Sequence, residues 1–228
     1  MQLSVIIPAY NEEQYIGDCL KAIFKQTEPA DEVIVVDNNS TDKTAEIARE
    51  LGARVVTEKQ QGISFARNRG FDEAKYEIIA RTDADTHVPK NWVQQIKTNF
   101  QTRPIDALGG TVYYREFPLK LTFLSNLYLK ILKGLQKGRE TLVGMNMALS
   151  KEIWNKVRLT VENDNKKVHE DIDLALKIWS VGGVVGYDFK LVAASSARRI
   201  LKNPYSFFIE YRVRLFKTLK HSNSKRQS

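Results

Sequence analysis

Over residues 1–100 the hydrophobic period switches repeatedly, and that switching narrows the fold class more than any single residue does. Short β-branched runs (Val5-Ile6-Ile7, Val33-Ile34-Val35-Val36, Val55-Val56-Thr57, Ile78-Ile79-Ala80) alternate with stretches whose apolar residues recur every three to four positions. Segment 12–24 sets Tyr15, Ile16, Cys19, Leu20 and Ile23 on one helical face, and 44–51 does the same with Ala45, Ile47, Ala48 and Leu51. Segment 64–74 reads as a third helix. Thr41 offers a cap for the second and Gly52 a stop. Strands alternating with helices imply βαβ units on a parallel sheet, and strands apolar throughout fit a sheet covered on both faces. Beyond residue 100, strands are expected at 107–114, 143–149, 184–187 and 191–194. A helix is expected at 169–181 with Ile172, Leu176 and Trp179 on one side, and Pro204 opens a last helix that fades into a polar tail. With no internal repeat and no low-complexity linker, the chain reads as one α/β domain over 1–200 and a C-terminal helix and tail over 201–228.

Composition excludes several classes. The chain is 43% hydrophobic, too much for disorder, and its single cysteine, Cys19, cannot form a disulfide scaffold. The net charge is +8, but it is unevenly spread: residues 1–114 carry −4 and 140–195 carry −1, whereas 115–139 carry +5 and 196–228 carry +8. A body this acidic is not a nucleic-acid binder, so no nucleic acid is expected as a partner. The apolar run at 3–7 is broken by Pro8, far short of a secretion signal, and the richest stretch, 117–135, is interrupted by Lys120, Lys130 and Lys133. A cytoplasmic protein is expected.

Both basic segments are amphipathic. In 119–137, Leu121, Leu124, Tyr128, Ile131 and Leu135 oppose Asn126, Lys130, Lys133 and Lys137. In 205–221, Phe208, Ile209, Leu215, Phe216 and Leu219 oppose Arg214 and Lys217, with Arg212 interrupting the apolar side. Such helices lie flat on anionic membranes, here the inner face of the cell membrane, or pack their apolar faces on their own domain.

Ligands of open α/β sheets bind beyond the C-terminal ends of the strands. Polar clusters stand at four such places: 8–12, 37–42, 62–70 with Arg67, and Asp83-Ala84-Asp85. On an extended segment Asp83 and Asp85 would face one hard cation together, although Asp-rich turns also follow strands for conformational reasons alone. No Gly-X-Gly-X-X-Gly follows the first strand and no Walker sequence occurs, which argues against dinucleotide enzymes and P-loop NTPases. Three histidines (His87, His169, His221) are too scattered for a zinc site. Cys19 reads as core, and Trp92, Trp154 and Trp179 read as packing residues before sugar platforms.

Six motifs occur in order over about residues 3–195: Val5-Ile6-Ile7-Pro8-Ala9-Tyr10-Asn11-Glu12, Val35-Val36-Asp37-Asn38-Asn39-Ser40-Thr41-Asp42, Ala66-Arg67-Asn68-Arg69-Gly70, Asp83-Ala84-Asp85, Gly144-Met145-Asn146-Met147-Ala148 and His169-Glu170-Asp171-Ile172-Asp173-Leu174. Together they resemble the family 2 glycosyltransferases. The resemblance implies a GT-A fold, a mixed sheet flanked by helices, and inverting transfer from a UDP- or GDP-sugar to a saccharide or lipid-linked acceptor. It implies that Pro8, Tyr10 and Glu12 line the nucleoside pocket, that Asp37 hydrogen-bonds the base, and that Asn39, Arg67 and Ala84 lie on the donor side. Asp83 would stand near ribose and metal, and Asp85 would ligate the metal directly. His87 would be a third ligand, favouring Mn²⁺ over Mg²⁺ because imidazole is the softer donor. Asp171 would be the general base, with Glu170 and Asn146 beside diphosphate or acceptor. Arg198 and Arg199 would either clamp the diphosphate or simply belong to the basic tail.

The chemistry agrees with that assignment. Inversion needs a base that deprotonates the acceptor hydroxyl as it attacks opposite the leaving diphosphate. At Asp171 the helix dipole favours the carboxylate, while Glu170 and Asp173 oppose it by like-charge repulsion. Equally, three acids at a helix start are a common capping pattern. Two other functions compete: a catalytically silent, membrane-associated nucleotide-sugar-binding protein of the same fold, and a nucleotidyltransferase, whose Gly-rich phosphate loop is absent here.

Overall fold

In the computed structural model, residues 1–117, 127, 130–131, 133–134, 136, 138–164, 167–203, 213–215 and 217–218 are described. The first half forms β1 (Leu3–Ala9), α1 (Ile16–Phe24), β2 (Glu32–Asp37), α2 (Thr44–Glu50), β3 (Arg54–Thr57), α3 (Ile63–Glu73), β4 (Ile78–Thr82) and α4 (Trp92–Thr102). There follow β5 (Ala107–Tyr114), β6 (Asn146–Ser150), α5 (Lys151–Val157), α6 (Glu170–Ser180), β7 (Val185–Ser195) and α7 (Arg198–Lys202). Among the described residues the sheet has seven strands, in the order β3-β2-β1-β4-β6-β5-β7. β1 to β4 are mutually parallel; β6 runs antiparallel between β4 and β5, and β7 is parallel to β5.

Alternation along β1 explains the two hydrophobic layers. Leu3, Val5, Ile7 and Ala9 join Ile16, Leu20, Trp92 and Ile96 on the face covered by α1, α2 and α4. Ile6 joins Phe71, Trp154, Leu174 and Ile178 on the face covered by α3, α5 and α6. Cys19 lies in the first layer, and burial pushes its thiol up, so it remains un-ionised core. Trp92 and Trp154 are likewise fully buried.

Four expectations need correction. The strand sought at 143–149 begins at Asn146, because Gly144 and Met145 form a turn in which the Asn146 amide donates to the Val143 carbonyl at 2.8 Å. The strands sought at 184–187 and 191–194 are one strand, β7; a register shift between Gly110 and Thr111 absorbs its polar middle, because Gly110 pairs with Asp188 and Thr111 with Val192. Thr41 does not cap α2; the Asp42 carboxylate accepts from the Thr44 amide at 2.9 Å, being one residue closer to the orphaned N–H groups. Residues 12–15 precede α1 as a turn, with the Tyr15 and Ile16 amides both donating to the Glu12 carbonyl at 2.9 Å.

Most of both basic segments, including Leu121, Leu124, Tyr128, Leu135, Phe208, Ile209, Arg212, Phe216 and Leu219, lies outside the described residues. Of the apolar positions that are described, Ile131 is 54% exposed, whereas Leu215 is buried against Ile172. Among the described residues no helix is long and apolar enough to cross a membrane.

Helix α3 lies unusually close to the sheet. A Cβ at Gly70 would stand 2.2 Å from Cγ2 of Ile6 and 3.0 Å from Cγ2 of Val36. Gly70→Ala is therefore expected to lower unfolding free energy by about 1–3 kcal/mol in denaturant titrations, the usual cost of overpacking. An unchanged midpoint would show that α3 lifts freely from the sheet.

Candidate active site

Beyond the C-terminal ends of β1, β2 and β4 lies an open cleft of about 300 Å³. Its floor is made by turns that hold one another. After β1, Asn11 adopts φ 53° and its Oδ1 accepts from the Thr41 amide at 2.8 Å, while the Glu12 amide donates to Thr44 Oγ1 at 2.7 Å. After β2, Asn38 donates through Nδ2 to the carbonyls of Glu58 and Gln60 and accepts from the Gly62 amide. The start of α3 is thereby fixed to the strand end. Pro8, Tyr10 and Glu12 line the cleft, together with Asn38, a position that reading by resemblance passed over.

Asp83, Ala84 and Asp85 line the cleft too, but not as an extended pair. The Thr86 amide donates to the Asp83 carbonyl at 3.0 Å, making the segment a turn. The two carboxylates consequently take different cations. Arg81 Nη2 donates to Asp83 Oδ1 at 3.1 Å, and Arg198 Nε donates to Asp85 Oδ2 at 2.9 Å.

The opposite wall is the start of α6. Glu170 is gripped by two buried guanidiniums: Arg81 Nη1 reaches Oε1 at 2.5 Å and Arg67 Nη1 reaches Oε2. Burial alone would push the Glu170 carboxyl up; the two arginines outweigh it and hold it at about 2. Asp171, by contrast, is pushed up, first by burial and then by the neighbouring Glu170 charge, against the pull of His169, the Gly144 amide and Arg81. Asp171 Oδ2 accepts from the Gly144 amide at 3.1 Å and Oδ1 from its neighbour Ile172 at 2.8 Å. A Cβ at Gly144 would meet Glu170 Oε1 at 3.0 Å and Arg81 Nη1 at 3.1 Å, so a larger residue there would press on the ion pair beside that amide. Asp173 turns away to accept from the Glu162 amide, leaving Glu170 as the repelling neighbour of Asp171.

Several expected site residues serve other ends. Arg67 is fully buried and does not line the cleft, although Ile63 and Ala66 of the same helix do; it donates to the Glu170 carbonyl at 2.6 Å as well as to its carboxylate. Asn146 is fully buried; it accepts from Trp92 Nε1 at 2.8 Å and donates to the carbonyls of Thr111 and Leu191, which makes it a structural pin. Asp37 Oδ1 closes its own turn by accepting from Ser40, and Asn39, at φ 63°, donates to the Lys59 carbonyl. His87 is bridged through its backbone to Ala194 at 2.8 and 2.9 Å, and burial and Arg115 push its imidazole down. Among the described residues no three His, Cys, Asp or Glu side chains gather to hold a metal, so His87 completes no ligand set. The Arg199 side chain lies outside the described residues.

The residue most clearly missed is Arg81. A charge inside the apolar run of β4, two positions before Asp83 and hence on the same face, was the available signal. Arg214 also lines the cleft, brought there by a helical turn whose Thr218 Oγ1 accepts from the His169 amide at 2.9 Å.

A family model described as glycosyl transferase family 2 matches residues 4–158. Glycosyltransferase AglE of Haloferax volcanii is 37% identical over 120 residues, which cover 49% of this chain and 40% of AglE. The chain thus spans less than half the length of that curated relative. Among solved structures, mannosyltransferase PcManGT from Pyrobaculum calidifontis, in complex with GDP-Man and Mn²⁺, superposes with a TM-score of 0.68 at 24% identity over 86% of this chain and 57% of its own. Glucosyl-3-phosphoglycerate synthase from Mycobacterium tuberculosis, in complex with Mn²⁺, UDP and glucosyl-3-phosphoglycerate, superposes with a TM-score of 0.64 at 21% identity over 89% and 75%. The mixed seven-stranded sheet flanked by helices is the GT-A fold.

Glu170→Gln removes the one charge set between two buried cations, and a loss of about 3–5 kcal/mol is expected in unfolding experiments. Because the Glu170 carboxyl is depressed, its contribution is present above its ordinary value of 4.5 and is lost as pH falls toward about 2. Wild-type stability should therefore fall across that window, and the Gln variant should lack this part of the slope.

Proposed function

The chain belongs to glycosyl transferase family 2, and from that premise we propose that it transfers a sugar, with inversion, from a nucleoside diphosphate to an acceptor hydroxyl or a lipid phosphate. The observation that carries this reading is the pair of opposed carboxylate sets across one cleft. Asp83 and Asp85 lie at the end of β4, and Asp171 lies at the start of α6. Solved relatives of the fold that hold Mn²⁺ with UDP or GDP-Man support a nucleotide-sugar donor and a divalent cation.

In this scheme Pro8, Tyr10 and Asn38 bound the nucleoside, with Asp37 and Asn39 shaping the turn beneath it and Glu12 and Ala84 along the donor's path. Asp85, with Asp83 beside it, supplies hard oxygen donors that fit Mn²⁺ or Mg²⁺ completed by diphosphate oxygens, and such an ion would neutralise charge on the leaving diphosphate. Asp171 accepts the proton of the attacking hydroxyl. Its raised carboxyl makes it a stronger base than an exposed aspartate, and the Gly144 amide fixes its direction. A phosphate acceptor is already ionised, so transfer to it would depend less on Asp171. Arg198 and Arg214 both line the cleft and supply positive charge for the diphosphate or an anionic acceptor.

Asp171→Asn should lower the rate of transfer to a hydroxyl acceptor by at least about a hundredfold while nucleotide binding persists. Asp85→Ala should lose both metal-dependent nucleotide binding and transfer. Thermal shifts with UDP or GDP and Mn²⁺ or Mg²⁺ read the binding. Transfer that survives both substitutions, or no stabilisation by any nucleoside diphosphate, would sink this mechanism.

The basic segments point to where such an enzyme would work. The exposed Ile131, within the segment carrying +5, supports contact between 119–137 and an anionic membrane, whereas the buried Leu215 ties the second segment to the domain. Co-sedimentation with vesicles should rise with phosphatidylserine content and fall with salt. It should weaken on Ile131→Asp; equal binding to neutral vesicles would exclude this role.

A further inference from the structure

Arg198 bridges two motifs that lie far apart in sequence. Its Nε donates to Asp85 Oδ2 at 2.9 Å, its Nη2 donates to Glu12 Oε1, and its guanidinium carbon lies 4.4 Å from the centre of the Tyr15 ring. The side chains of Arg198, Glu12 and Asp85 are 22%, 12% and 13% exposed, so the bridge is half-buried at the rim of the cleft. The backbone that presents it is built for the purpose. Glu116 accepts from Ser196 Oγ and from the Ala197 amide, both at 2.7 Å, and the Arg198 amide donates to Ser196 Oγ at 3.2 Å. Ser195 Oγ also lies 3.5 Å from Asp85 Oδ1. A guanidinium thus stands against the carboxylate best suited to a divalent cation.

We propose that Arg198 is an exchangeable counter-ion of the metal position: it neutralises Glu12 and Asp85 when no divalent cation is bound, and yields Asp85 to the ion when the donor enters. A divalent cation at Asp85 repels the guanidinium held on the same carboxylate, so binding there weakens the Arg198 pair. An ion arriving alone weakens it without compensation. An ion arriving with a diphosphate offers the released guanidinium a new anion, in bidentate geometry suited to phosphate. Metal and nucleotide are consequently coupled, each tightening the other by the same factor. The inference rests on the reading that Asp85 holds the cation.

The test is Mn²⁺ titration of the full chain, followed by the electron paramagnetic resonance signal of free ion, for wild type, Arg198→Ala and Arg198→Lys, each with and without Asp85→Asn. Without nucleotide, Arg198→Ala should bind Mn²⁺ about tenfold more tightly than wild type, within the usual range of couplings between sites. Arg198→Lys, which keeps the charge and loses the fork, should fall between them and serves where the alanine variant fails to fold. Melting temperature should rise more on Mn²⁺ addition in Arg198→Ala than in wild type. UDP or GDP, after correction for ion held by free nucleotide, should tighten Mn²⁺ binding to wild type more than to the alanine variant. Equal Mn²⁺ affinities in wild type and both Arg198 variants, with binding still lost on Asp85→Asn, would overturn the counter-ion role and leave the metal reading intact. Absence of Asp85-dependent Mn²⁺ binding in every protein would remove the metal reading and this inference together.

Discussion

The Arg81–Glu170–Arg67 network is the constraint on which the cleft depends. Three ionised side chains come from β4, α6 and α3, and the two arginines have almost no contact with solvent. Removing such charges from water costs several kcal/mol each, so the arrangement persists only because the pairing geometry offsets that cost. Each arginine makes a further bond that locates a neighbour: Arg81 to Asp83, Arg67 to the backbone at Glu170. The network thereby ties Asp83 at the end of β4 to the start of α6, where Asp171 stands, through a common charged centre. Gly70 and Gly144 are part of the same device, one letting α3 approach the sheet and the other leaving room for the ion pair beside the 144 amide.

The electrostatic result is a division of labour between adjacent acids on α6. Glu170 takes the cations and is held ionised; at Asp171, one residue on, burial and the Glu170 charge outweigh His169, the Gly144 amide and Arg81, and the carboxyl rises. Neither effect follows from helix position alone, since both residues stand in the same first turn. The raised carboxyl of Asp171 thus owes most to its own burial and next to the charge that the arginines preserve on Glu170.

Much of this was legible in the sequence. The switching hydrophobic period located β1 to β4 and the helices between them, most clearly at β1 and β2, whose buried runs are nearly continuous in apolar residues. The turns at 8–12, 37–42 and 83–85 were legible as strand ends. What escaped were features that depend on the other side of the sheet. β7 reads as two strands because Asp188 and Lys190 interrupt its apolar pattern, and only the register shift at Gly110 reveals one continuous strand. Asn146 resembles a site residue by motif but is a buried pin for Trp92 and two carbonyls, a role invisible without β5 and β7. Arg67 carries its motif position faithfully, yet the close packing of α3 turns it toward Glu170. Asp83 and Asp85 were expected to act as a pair because alternation aligns them on a strand; the Thr86–Asp83 turn separates them and gives each its own arginine.

That separation distinguishes two kinds of counter-ion. Arg81, in the cleft wall, and Arg67, behind it, are both buried, and breaking a pair there strands a charge in low dielectric and costs about 3–5 kcal/mol. Such pairs cannot open at each catalytic cycle without threatening a fold of ordinary stability. Arg198 lies at the rim, partly in water, where a broken pair is resolvated and the cost is far smaller. The chain has therefore placed its fixed cations beside the residue proposed as base, whose position must not change. Its releasable cation stands over Asp85, the carboxylate expected to meet a different partner when the donor arrives. A cleft lined by this many acids needs positive charge in every state, and the depth of each arginine decides whether that charge is structural or exchangeable.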